Sequence, residues 1–165
     1  MKFKLIILLL LLSSLIFLVK CTVSPDFPIE PVLTYKGMSK NSIEQGSLNS
    51  DSMYIFLHYT DGDGDIGLET EDTTQNLFLI DSRTGFRSDA FKIPLVQTAG
   101  TGNGISGDIE LKIYTTCCLF ENNIPPCSVI DGIDFDTLYY RIYLLDNAGN
   151  SSDTINTEPI YVRCN

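Results

Sequence analysis

Histidine and positive charge are what this chain has least of: a single imidazole, His58, and 11 Lys and Arg against 21 Asp and Glu. One imidazole excludes a histidine-rich metal centre, and a Ser-His-Asp triad would rest wholly on it. No G-x-S-x-G string supplies a nucleophile elbow, so His58 reads as a surface residue at a strand end. Scarce Lys and Arg argue against nucleic acid as a partner, because binding a polyanion needs clustered cations. Helical periodicity is missing from Val32 onward, which leaves no helix of useful length. Nor does any apolar run reach the ~20 residues that a membrane-spanning helix needs.

The longest apolar run, Leu5 to Val19, follows Lys2 and Lys4 and ends at Lys20-Cys21. A positive start before about 15 apolar residues is the pattern of a secretory signal. The cysteine that closes it resembles the lipobox of bacterial lipoproteins, although Lys20 stands where a small residue is usual. Residues 1–20 are thus expected to be a lipoprotein signal peptide and Cys21 the lipidated first residue. TVSPDFPIEP then makes residues 21–31 a Pro-rich, extended tether. Residues 1–20 contain three lysines and no acid, so removing them leaves a net charge of about −13, suited to solubility and to attracting cations. The remainder, 32–165, suits one domain with one core.

Four further cysteines, Cys117, Cys118, Cys127 and Cys164, read as disulfides in an exported protein. Strand phase favours one pairing. Ile109, Leu111, Ile113 and Cys117 alternate onto one face, as do Ile160, Val162 and Cys164, which predicts Cys117–Cys164 and Cys118–Cys127. A zinc site from the four thiols fits neither their spacing nor an oxidising compartment.

The domain reads as short strands at 32–36, 52–59, 75–81, 89–93, 107–116, 137–145 and 158–164, divided by turn residues. In 137–145, Leu138, Tyr140, Ile142 and Leu144 form the core face; in 52–59, Met53, Ile55, Leu57 and Tyr59 do. Asp81-Ser82-Arg83-Thr84-Gly85 is a turn that can join neighbouring strands, and the Gly-rich stretch 99–107 is a loop. The expected fold class is all-β, an immunoglobulin-like antiparallel β-sandwich of about seven strands. That order puts the loops after the second and sixth strands at one end of the domain.

The first of those loops holds Asp61-Gly-Asp63-Gly-Asp65, three carboxylates at alternate positions. Such crowding points to a hard cation, and calcium takes six to eight oxygens at roughly 2.3–2.6 Å. Counted from Asp61, the spacing resembles an EF-hand loop, with Glu69 and Asp72 at its later ligand positions. Ile66, however, stands where that loop needs glycine, and a strand precedes it. The expected site is therefore a strand-end loop of Asp61, Asp63 and Asp65, its shell closed by Glu69, Glu71 or Asp72. Asp146 and Asn150 of the other loop complete it across the pole. A structural ion fits this better than a catalytic one.

Gly102 to Gly107 spells G-x-G-x-x-G, but a strand-like segment follows where a dinucleotide site needs a helix. Tyr139, Tyr143 and Tyr161, beside Arg141 and Arg163, form an outward strip that can contact a glycan or a partner protein, or simply stabilise the sheet. No pair of acids is specified for glycoside hydrolysis.

The strings YTDGDGDIGL, IYTTCCLF with IPPC, and LLDNAGNSS with a closing Cys resemble a group of small envelope lipoproteins of Bacteroidota. The resemblance covers most of the chain after Cys21. It implies an exported immunoglobulin-like domain on a lipid anchor in the cell envelope, at the outer membrane with its leaflet open, and no particular activity. It also makes Ser52, Thr137 and Thr154, each after an Asp, candidate glycosylation acceptors. The expectation is a non-enzymatic binding or structural module, calcium-stabilised, whose partners are the membrane and an envelope protein or glycan. A glycan-binding lipoprotein is the alternative, and a hydrolase is third.

Overall fold

A computed structural model describes residues 26–96 and 104–165. The signal segment, Cys21, the start of the tether and most of the Gly-rich loop lie outside them. The described residues form an all-β fold of ten strands with no helix. They are β1 Val32–Met38, β2 Ser42–Glu44, β3 Ser52–Asp61, β4 Leu77–Asp81, β5 Arg87–Phe91, β6 Ile105–Tyr114, β7 Phe135–Leu138, β8 Tyr140–Leu144, β9 Ile155–Asn156 and β10 Ile160–Arg163.

Three sheets result, ordered β1-β3-β6, β5-β4-β8-β9 and β2-β10-β7. All pairings are antiparallel except β10 with β2. The period-two pattern explains why they pack. Met53, Ile55, Leu57 and Tyr59 of β3 are buried, and so are Leu138 and the β8 residues Tyr140, Ile142 and Leu144. These side chains join Leu77, Leu79, Leu111, Ile113, Ile160 and Val162 in one cluster, as a β-sandwich requires. Each fully buried Leu or Ile side chain contributes about 1.5–3 kcal/mol.

The strand expected over 137–145 is divided at Tyr139. Ser82, in the turn after β4, takes the place of a strand there: Ser82 Oγ accepts the Tyr139 N–H at 2.9 Å, and Ser82 N–H donates to Tyr139 O at 3.1 Å. The strand expected over 158–164 is shortened to β10, Ile160–Arg163, behind Pro159, which has no N–H to give the ladder. β10 pairs with β7, and the two-residue β9 that precedes it pairs with β8. The 81–85 turn does join neighbouring strands, β4 and β5, with Gly85 at φ 73°.

The disulfides differ from the phase argument: Cys118 pairs with Cys164 and Cys117 with Cys127. The reason is that β6 stops at Tyr114. Beyond Thr115 the chain leaves β3, and Thr116 O accepts from Gly46 N–H at 3.2 Å, so strict alternation does not extend to Cys117. Cys118 and Cys164 are then both fully buried, and their bridge ties β10 to the end of β6 across a separation of 46 residues.

Candidate metal centre

Asp61 is the last residue of β3, paired with Ile105 of β6, and is wholly buried. The chain then turns through Gly64, at φ 77°, and Asp65 N–H folds back onto Asp61 Oδ2 at 2.8 Å. Ile66, the residue that spoils the EF-hand pattern, is itself fully buried in the core. Its burial pins the loop from below. Buried Asn76 holds it from the side, donating to Ile66 O at 2.7 Å and accepting from Ile93 N–H at 2.8 Å.

The second loop leaves β8 at Leu144. Asp146 accepts from Asn150 N–H at 2.7 Å and from the Asn150 side-chain amide at 2.8 Å, which fixes its carboxylate. Asn147 then bridges the two loops, its N–H reaching Asp65 O at 3.3 Å and its side-chain amide reaching Gly67 O at 3.1 Å. Asp61, Asp63, Asp65 and Asp146 are thereby gathered so that one carboxylate oxygen from each lies within 4.8 Å of the others.

Glu69 and Asp72 are not part of this group. The chain after Gly67 runs instead beside residues 93–95, where Leu68 N–H bonds Ile93 O and Leu95 N–H bonds Leu68 O. Asp72 Oδ1 accepts the Thr74 N–H at 2.7 Å, and Lys92 Nζ donates to the backbone carbonyls of Glu69, Thr70 and Asp72. Glu71 is exposed and outside the group as well. Asn150 lies beside the group through its two hydrogen bonds to Asp146.

The electrostatics of the four aspartates are one-sided. Burial pushes the Asp61 carboxyl up to about 6, the Asp65 N–H opposes the shift, and the charges of Asp63, Asp65 and Asp146 add to it. Asp65 is raised too, by burial first, then by Asp146 and Asp63, against the backbone N–H groups of Ala148 and Asn147. Oδ1 of Asp61 and Oδ1 of Asp65 are buried with no hydrogen-bond partner among the described residues. An orphaned buried carboxylate oxygen costs several kcal/mol unless something neutralises it.

The other candidate residues are not part of the four-aspartate group, and two of them, Tyr161 and Thr137, are cross-strand partners in β10 and β7. His58 Nδ1 faces Asp108 Oδ1 at 2.7 Å across β3 and β6, in an exposed pair. Tyr143 is stacked on Phe78 with ring centroids 5.1 Å apart, while Tyr139 and Tyr161 are each 41% exposed. Thr137 and Thr154 are exposed, and Ser52 is half-buried at the start of β3. One polar centre escaped the sequence reading altogether. Arg83 donates to Asp81 Oδ2 at 2.6 Å, Asp136 Oδ2 at 2.6 Å and Cys117 O at 3.0 Å, with little of any of the three side chains exposed. Its only signal was membership of a turn. Comparison with protein-family models, curated proteins and solved structures finds no match.

Proposed function

We propose that the chain is an exported, lipid-anchored, non-enzymatic binding or structural module whose sandwich is stabilised by calcium at Asp61, Asp63, Asp65 and Asp146. One observation carries the calcium reading: two of the four gathered carboxylates, Asp61 and Asp65, each hold a buried oxygen without a partner. Bidentate carboxylates, backbone carbonyls and water would supply the remaining oxygens of the shell. The immunoglobulin-like reading is supported by the sheet order, in which first, second and fifth expected strands pair in one sheet and third and sixth in another. That order brings the loops after β3 and β8 to one pole. The anchor reading is supported by the apolar run ending at Cys21. Extracellular loop sites of this type bind calcium at ~10⁻⁴–10⁻³ M. At tenfold excess over its dissociation constant, an ion adds about 1.4 kcal/mol to stability.

One preparation from a bacterial envelope tests both parts. Its intact mass should show an acylated chain beginning at Cys21, and its thermal midpoint should rise in millimolar calcium relative to chelator. An unacylated mass removes the anchor; coincident midpoints remove the ion.

A further inference from the structure

We infer that ion binding at the four-aspartate pole clamps the N-terminal segment, residues 27–28, onto the domain. The inference rests on the reading that this pole binds calcium, and it concerns what the ion controls. Gly62, between two of the carboxylates, donates its N–H to Pro28 O at 2.7 Å. A Cβ at Gly62 would lie 2.4 Å from Phe27 O and 2.6 Å from Pro28 O, so the incoming chain is seated directly on its α-carbon. Gly104 is pressed by the same segment: a Cβ there would lie 2.8 Å from the Phe27 ring and 2.7 Å from Asp61 O. The backbone that carries Asp61 and Asp63 is therefore also the floor on which Phe27 and Pro28 sit.

Glycine has the widest choice of backbone conformations, so Gly62 is the soft joint between two ligands. Mutual repulsion of Asp61, Asp63 and Asp65 opposes the conformation that gathers them. An ion that draws Asp61 and Asp63 to one centre fixes the dihedrals of the residue between them, and so aims the Gly62 N–H at Pro28 O. The converse follows by linkage: a seated Phe27–Pro28 holds Gly62 in the ligating conformation and strengthens ion binding by the same factor. Because Cys21 lies a few residues upstream, the clamp sets how the domain is carried relative to an anchor at that cysteine. Residues 27–28 are then held on the domain when the ion is bound and released from it when it is not.

Hydrogen exchange on the full-length protein in detergent, with millimolar calcium or with chelator, reads the Gly62 amide directly. Calcium should slow its exchange about fivefold or more, and calorimetry should show Phe27→Ala weakening calcium by a similar factor, although Phe27 supplies no ligand. Gly62→Ala should weaken calcium as well, and Asp146→Asn should abolish the calcium effect on Gly62. Calcium binding with unchanged Gly62 exchange, or with unchanged affinity in Phe27→Ala, overturns the clamp and leaves the metal site standing. No calcium binding by calorimetry overturns both.

Discussion

The domain carries two partly buried acidic clusters at opposite ends, and they are solved differently. At the β4–β5 turn, Asp81 and Asp136 share the guanidinium of Arg83, which also reaches Cys117 O. At the other end, Asp61, Asp63, Asp65 and Asp146 meet with no basic side chain, and none of the ion pairs among the described residues includes them. The first cluster is complete within the chain. Its planar fork satisfies two carboxylates and a carbonyl at once, so nothing external is required. The second leaves oxygens of Asp61 and Asp65 without partners. Acid crowding alone therefore does not argue for a cation; the proposal of one rests on crowding without an internal counter-charge.

The largest effect should come from making the first cluster like the second. Arg83→Met keeps much of the side-chain bulk but leaves Asp81 and Asp136 buried without their cation, and should cost about 3–5 kcal/mol in urea unfolding. Calcium should not restore it, because two carboxylates there do not form a shell of six oxygens. A loss below about 1 kcal/mol would mean that Arg83 is no better than a surface ion pair, and the contrast between the poles would collapse.

A smaller effect should separate the poles by pH. The folded pKa of Asp61, about 6, lies above its ordinary value of 3.8, so the folded state binds the proton first as pH falls. In chelator, stability should therefore rise as pH drops from 7 through 6 and level off below about 4, by on the order of 2 kcal/mol. In calcium the trend should reverse over the same window, because protons displace the ion. Asp61→Asn retains an acceptor for the Asp65 N–H and should flatten both curves. Parallel curves with and without calcium would show that no ion competes with the proton at Asp61.

How much of this could be read from the sequence depends on how local each signal is. The alternation in β3 and β8 names the core face because a strand's period is two, and the D-G-D-G-D spacing names three of the four gathered carboxylates. Asp146 was reachable through strand order, which places two loops at one pole. Arg83 was not, since its partners Asp136 and Cys117 lie far along the chain. Asn76 looks like any polar residue before a strand, yet it stitches Ile66 to Ile93. Phase failed for the cysteines because it is valid only while a strand lasts, and β6 ends at Tyr114. At Tyr139 the phase held, with Leu138 and Tyr140 buried and Tyr139 outward, but the strand is interrupted where a serine from a distant turn stands in for a neighbour.

The smallest effect tests where the second cluster ends. Glu69 occupies the ninth position counted from Asp61, so an EF-hand-like loop would use it as a ligand. In the structure it is exposed and outside the group of four, on a turn whose carbonyls are held by Lys92. Glu69→Gln should change stability by less than about 0.5 kcal/mol and leave calcium affinity within about twofold, as expected for an exposed side chain away from a site. Removing a true ligand would weaken binding much further, because the charge of each carboxylate sets affinity in such loops. A large loss of affinity in Glu69→Gln would mean that the loop closes around the ion in a second conformation. The site would then extend along the chain rather than across the pole to Asp146.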